Sequence, residues 1–307
     1  MPLLTITHHT EYHYARPVAF GEHRVMLRPR DGHDLRMLEG TLVITPQPST
    51  LRWIHDVFGN SVAIATFDQR ATRLSFESTA LVEHHPSDEF ALTPDDRAFF
   101  YPFSYDEDEY PDLEAFIRPQ YGDPDGELSA WARGFLDAGQ STPTFDVLSR
   151  MTHGIRDGFR YRRRHAHGTQ HPLDTLQTGS GTCRDFALMM IEALRRLGIA
   201  ARFVSGYLFV HGDGERGQEG RHVGGGSTHA WVQVYLPSAG WIEFDPTNGI
   251  IGTRDLIRVA VARDPSQAIP LHGSYLGGAD EFLRMDVRIK VAPAGDVADN
   301  HRVAVPA

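Results

Sequence analysis

The 307-residue chain holds a single cysteine, Cys183, so no intrachain disulfide can form and the fold is expected to need no oxidising compartment. Positive charge is also scarce. Thirty Lys and Arg stand against forty Asp and Glu, a formal net charge of −10, which argues against general nucleic-acid binding. No apolar run approaches the roughly 18 residues of a membrane span. No basic stretch leads into a long apolar one at Met1–His8, so no export leader is expected and the cytoplasm is the default compartment. Seventeen histidines include His165, His167, His171 and His222, yet there is no His-Glu-x-x-His and no cysteine pair. Neither a metal nor any other cofactor is expected. Gly-x-x-x-x-Gly-Lys and internal repeats are missing as well.

What remains is an ordinary globular composition, 41% hydrophobic and 23% charged, long enough for a sizeable core. Its charge is uneven: Tyr105–Glu114 is acidic, whereas Arg156, Arg160, Arg162, Arg163 and Arg164 crowd one short stretch. The plain reading of both runs is a solvated face, the basic turn pairing with the acidic one.

Residues 1–86 read as a small antiparallel β domain, with strands expected over 3–14, 40–44, 61–67 and 73–82, broken by Gly and Pro. Residues 87–140 read as an acidic, proline-bearing linker that ends in a helix over 127–138. A core follows over 141–260, then a segment 261–293 with a closing strand at 281–291, then a disordered tail 294–307. Within the core a helix is expected over 144–159. The clearest helix is 183–197, with apolar residues at helical spacing and Gly198 where a C-terminal cap belongs. Leu188 and Met189 widen its apolar surface, so it should be central. Strands are expected over 202–210, 229–236 and 241–245, and the glycine-rich loop 211–226 has the composition of a mobile cover.

The chemistry gathers at the ends of these elements. Gly179-Ser-Gly-Thr-Cys-Arg-Asp185 leads a glycine-rich turn into a helix, and Thr182-x-x-Asp185 fits a capping box that places Cys183 near the first helical position. Unpaired N–H groups and the positive dipole end there favour a thiolate over a thiol. His229 opens one strand and Asp245 closes the next, so a nucleophile, a base and an orienting carboxylate follow in order, as in cysteine-based acyl transfer. Each has a plainer reading: a small buried hydrophobe, a strand-start histidine, an Asp-Pro turn. Symmetric closure of the hairpin at Pro237–Gly240 would set Asp245 opposite Val232 and Asn248 opposite His229. That leaves His229 and Asp245 roughly 10 Å apart unless the turn shifts, the strand bulges or the sheet twists strongly. The spacing permits the pair without fixing it.

Gly181-Thr-Cys-Arg-Asp-Phe-Ala187, Leu197-Gly-Ile-Ala-Ala-Arg-Phe-Val-Ser-Gly-Tyr207, Thr228-His-Ala-Trp-Val-Gln-Val-Tyr235 and Gly240-Trp-Ile-Glu-Phe-Asp-Pro-Thr-Asn248 together resemble the transglutaminase-like superfamily. Leu51–Asn60 and the segments around Arg263-Asp-Pro265 and Gly273–Gly277 extend the resemblance over about 2–292. They resemble its bacterial branch, which has an N-terminal β domain and is often called transglutaminase-like cysteine protease. The resemblance implies an α+β, papain-like core behind that domain, helices packed on an antiparallel sheet. It also implies Cys183 as nucleophile, His229 as general base and acid, and Asp245 as orienter. Tyr161 matches the position that often helps hold the oxyanion. Arg162 and Arg164 beside it, and Trp231 on the His229 face of its strand, are candidates for holding substrate. The expected activity is hydrolysis of a peptide or protein amide through an acyl-enzyme. Acyl transfer to an amine, and a non-catalytic binding role on the same fold, are the alternatives. Arg162-Arg-Arg-His165, the long 211–226 loop and Gln233 depart from the family pattern, in which Glu is common at the last position.

Overall fold

The computed structural model describes residues 2–86, 97–162, 168–209 and 226–295. The N-terminal region is a pair of packed sheets. Its strands are β1 (Leu3–Phe20), β2 (His23–Val25), β3 (Leu35–Thr45), β4 (Thr50–His55), β5 (Ser61–Thr66) and β6 (Arg70–His84). β1 and β6 are the long strands. On them apolar and polar residues alternate, so Leu74 and Phe76 close against Tyr14, Val18 and Phe20 in one cluster with Val25, Ala63 and Ala65 of the second sheet.

The remainder of the described chain runs through β7 (Phe100–Tyr101), α1 (Tyr110–Ile117), α2 (Glu127–Arg133), β8 (Thr142–Pro143), α3 (Thr144–Gly158), β9 (Arg160–Tyr161), α4 (Pro172–Thr178), β10 (Ser180–Gly181) and α5 (Cys183–Arg196). Then come β11 (Ala201–Leu208), β12 (His229–Leu236), β13 (Gly240–Asp245), β14 (Ile250–Ile251) and β15 (Leu256–Ala262), which form one sheet in the order β14-β13-β12-β11-β15. All its pairings are antiparallel. β16 (Leu271–His272), β17 (Tyr275–Leu276) and β18 (Phe282–Pro293) complete the chain. The fold is α+β with a leading β region, as expected from the sequence.

Helix α5 is central because its burial is nearly continuous. Phe186, Ala187, Met190, Ile191 and Leu194 share one cluster with Ala230, Val232 and Val234 of β12 and Phe203 of β11. The opposite face of the sheet carries Val204, Trp231 and Val261 in a separate cluster. A Schellman end closes the helix: Gly198 takes φ +77° and the Ile199 N–H donates to Leu194 O at 3.0 Å.

Several elements differ from their expected bounds: the strand expected over 3–14 continues to Phe20, and the one expected over 40–44 spans Leu35–Thr45. The helix expected over 127–138 stops at Arg133, where Gly134 starts a tighter turn with Phe135 and Leu136 bonded three residues back. The strand expected over 202–210 runs over 201–208. The closing strand β18 leaves the core sheet and pairs with β1 from Leu4↔Pro293 to Tyr14↔Phe282. The loop 211–225 and the tail from 296 lie outside the described residues.

The N-terminal region docks on β15, the edge of the core sheet. Asn60, fully buried, accepts from the Val261 N–H at 2.9 Å and donates to the Val261 carbonyl at 2.7 Å, acting as a one-residue strand against that edge. Beside it the Arg30 N–H donates to Arg258 O at 2.8 Å.

Candidate active site

The turn ahead of α5 is fixed before the helix begins. Asp185 accepts the Thr182 N–H at 2.8 Å, and the Thr182 hydroxyl oxygen accepts the Asp185 N–H, a closed capping box. The other Asp185 oxygen accepts the Gln170 N–H at 2.7 Å, which ties the preceding strand of chain to the same carboxylate. No side chain fits at Gly181, whose added Cβ would stand 2.8 Å from the Asp185 Cβ. Cys183 is thereby set at the first position of α5, 8% exposed.

His229 and Asp245 come from neighbouring strands. The β12–β13 register is Val232↔Phe244, Gln233↔Glu243 and Leu236↔Gly240, one residue away from symmetric closure about the Pro237–Gly240 turn. Three residues, Pro237–Ala239, make the turn, and Ser238 takes φ +69°. Phe244 therefore faces Val232, and continuing the register sets Asp245 opposite Trp231, two residues from His229 on the same face. His229 Nε2 and Asp245 Oδ2 lie 2.7 Å apart, both side chains fully buried.

Asp245 is saturated with donors. Oδ1 accepts from Thr247 N at 2.8 Å and Asn248 N at 3.3 Å, and Oδ2 from Asn248 Nδ2 at 2.7 Å. Burial works against its charge, but His229 and these donors together hold its pKa below the ordinary value. For His229, burial likewise disfavours charge. The Asp245 carboxylate overrides it, the Cys183 sulfur adds to the effect, and the pKa rises to about 10. The ring is thus an imidazolium near neutral pH, with Nε2 held by Asp245. Its other nitrogen, Nδ1, is likewise buried.

Trp231 is fully buried and stacks beside His229, ring centroids 6.0 Å apart and 29° between planes. It packs with Val204 and Val261, so it supports the imidazole and offers no surface to a substrate. That corrects the expectation of Trp231 as a substrate contact: the N-terminal region covers this face of the sheet. Tyr161 pairs with Gly181 through the parallel β9–β10 ladder, two residues before Cys183, and Arg162 N–H donates to Gly181 O at 2.8 Å. Arg162 is exposed beside that ladder. Arg163, Arg164, His165, His167 and His222 lie outside the described residues.

Among the described residues no ion pair joins the acidic and basic runs, of which Arg163 and Arg164 lie outside the described part. Arg156 bonds its neighbour Asp157, and Asp106 bonds Arg97. His171 caps α4, its Nδ1 accepting the Leu173 N–H at 3.2 Å. Among the described residues no group of three His, Cys, Asp or Glu side chains is placed to hold a metal ion. No helix among them is long and apolar enough to cross a membrane.

Residues 130–246 match the model of the transglutaminase-like superfamily, and residues 4–83 match that of the bacterial transglutaminase-like N-terminal region. The chain is 29% identical over 300 residues to an uncharacterized protein of Mycobacterium tuberculosis, covering 94% of this chain and 92% of that one. Over 104 residues it is 34% identical to a protein-glutamine gamma-glutamyltransferase of Pseudomonas aeruginosa, covering 33% of this chain and 14% of the relative. Its fold is similar to that of a provisionally assigned cysteine protease from Cytophaga hutchinsonii. The TM-score is 0.69 at 19% identity, with 96% of this chain and 92% of that chain covered.

Proposed function

Since the chain belongs to the transglutaminase-like superfamily, in its bacterial branch with an N-terminal β region, we propose that it is a cysteine-dependent amidase or peptidase working through an acyl-enzyme. One observation carries this reading: a buried His229–Asp245 pair, 2.7 Å apart, whose imidazole also responds to the sulfur of Cys183 at a helix start. In the proposed cycle the Cys183 thiolate attacks the amide carbonyl carbon. The oxyanion is received by the Cys183 N–H, which the first turn of α5 leaves without an intrahelical acceptor, and by Tyr161 from the adjoining ladder. The His229 imidazolium gives its proton to the departing amine as the C–N bond breaks. The neutral ring then takes a proton from water, which attacks the thioester, and the carboxylic acid leaves with Cys183 restored as thiolate. Asp245 fixes the ring by its hydrogen bond and takes no proton.

Arg162, exposed beside the Tyr161 ladder, favours substrates with an acidic group near the reacting carbonyl. A thiol nucleophile with no second cysteine in the chain suits a reducing compartment, and the cytoplasm is the proposed place of action. A second reading, acyl transfer to a primary amine, is favoured by the similarity to the Pseudomonas aeruginosa glutamyltransferase. The test is hydrolysis of a peptide-amide library by wild type, Cys183→Ala and His229→Ala, with and without an added amine. Turnover lost in both variants, with free acid as the product, supports hydrolysis. Amide products dominating at millimolar amine select transfer, and turnover retained in Cys183→Ala refutes both.

A further inference from the structure

The sheet face that holds His229 and Asp245 continues past Trp231. Next along it Gln233 stands opposite Glu243, and a cleft of about 460 Å³ opens there between the core sheet and residues 30–34 of the N-terminal region. Three arginines line it: Arg30, Arg202 and Arg258. Their partners are unequal. Arg258 is fully engaged, Nη1 with Glu243 and Nη2 with Asp34 at 2.6 Å. Arg30 gives Nη1 to Asn60 Oδ1 at 2.7 Å and to Phe58 O at 3.2 Å.

Arg202 has much less. Its Nε donates to Gln233 Oε1 at 2.8 Å, and that neutral amide in turn donates to Glu243 Oε1 at 2.7 Å. No carboxylate bonds Arg202 among the described residues, and neither Nη has a hydrogen-bond partner there. Its guanidinium carbon lies 3.9 Å from the Trp241 ring centroid. Burial, then the charges of Arg30 and Arg258, push its pKa down to about 9 against the pull of Glu243. This is a guanidinium short of a counter-charge, stacked on an indole, at the wall of a cleft.

We propose that this cleft is a binding site for a small organic monocarboxylate, held bidentately by Arg202 over Trp241. The fork of two parallel N–H donors matches the two oxygens of a carboxylate. Glu243 and Asp34 in the wall, and exposed Asp31 beside them, oppose a dianion such as phosphate. Trp241 supplies apolar wall for the body of the ligand, and Val261 lies on the same sheet face. A free organic acid and the C-terminal carboxylate of a peptide share this chemistry.

Calorimetric titration of the full chain tests it, with four probes: benzoate, a blocked tripeptide with a free C-terminus, the same tripeptide amidated, and inorganic phosphate. Saturable binding of benzoate is expected. It should weaken about tenfold or more in Arg202→Gln, the cost of a charge-assisted bidentate contact. It should tighten about twofold in Asp31→Asn, which removes an opposing charge. Binding of the free-acid tripeptide but not its amide identifies a chain end as the occupant; binding of benzoate without the tripeptide identifies a free acid. Should Arg202→Gln fail to fold, peptide mapping of phenylglyoxal modification in the wild type decides, with benzoate expected to protect Arg202. Equal affinity in wild type and Arg202→Gln, phosphate bound more tightly than benzoate, no saturable carboxylate binding, or an unprotected Arg202 would each overturn the proposal.

Discussion

At Asp245 four donors converge on one carboxylate, two on each oxygen. The resulting charge is what raises His229 to about 10 against its own burial. Two outcomes follow at this scale. Asp245→Asn should keep the fold and an alkylatable Cys183 yet lower turnover by about two to four powers of ten, because the ring loses its partner and its proper tautomer. Turnover within a few-fold of wild type would place the orienting group elsewhere. The pH dependence carries a definite sign. His229 binds its proton more tightly folded than unfolded, so its contribution to stability is complete below pH 6.5 and is lost as pH rises through about 10. Asp245 contributes above its ordinary value of 3.8 and loses that as pH falls below it. Melting temperature measured from pH 6 to 11 should therefore fall in the wild type and stay flatter in Asp245→Asn. Parallel curves would refute the coupling. Proton donation to the leaving amine should fail over the same alkaline range.

At the scale of elements, α5 was legible from the chain because two local signals agree: apolar residues at helical spacing and a Thr-x-x-Asp cap, with Gly198 to end it. The hairpin was legible as a pair of strands but not in register, since one residue in the turn decides it. Ser238 at positive φ is no standard turn signal, and the one-residue shift brought Asp245 within reach of His229. Least legible was the buried charge on α5. Glu192 and Arg195 fall among apolar residues, and their partners are distant carbonyls and amides. Arg195 donates to Glu192 at 2.9 Å, Phe116 O at 3.0 Å and Arg263 O at 2.8 Å, while Glu192 accepts the Gln120 N–H at 3.0 Å. Side chains of both are fully buried. Glu192→Ala leaves Arg195 charged and unpaired there, and should destabilise by about 3–5 kcal/mol in urea unfolding. A loss below about 1 kcal/mol would mean that water replaces the carboxylate.

At the scale of the whole molecule, the two regions are joined through groups that no periodicity reveals. Asn60 and Val261 are 201 residues apart in the chain and exchange two hydrogen bonds, and β18 returns to β1 across the full length. Asn60→Ala would orphan both main-chain groups of Val261, and a loss of about 1–3 kcal/mol is expected by urea unfolding. An unchanged midpoint would mean that the core sheet holds its edge unaided. The N-terminal region also shuts Trp231 behind the His229–Asp245 pair, so this tryptophan on the His229 face is buried in packing. Everything proposed about function rests on an acyl group passing through Cys183. The direct measurement is intact-protein mass spectrometry after rapid acid quench of the full chain with a chromogenic peptide anilide, followed by peptide mapping. Expected is a single acyl adduct on Cys183 in the wild type, lost in His229→Ala. Turnover with no adduct on Cys183 at any quench time, together with undiminished turnover in Cys183→Ala, would contradict it.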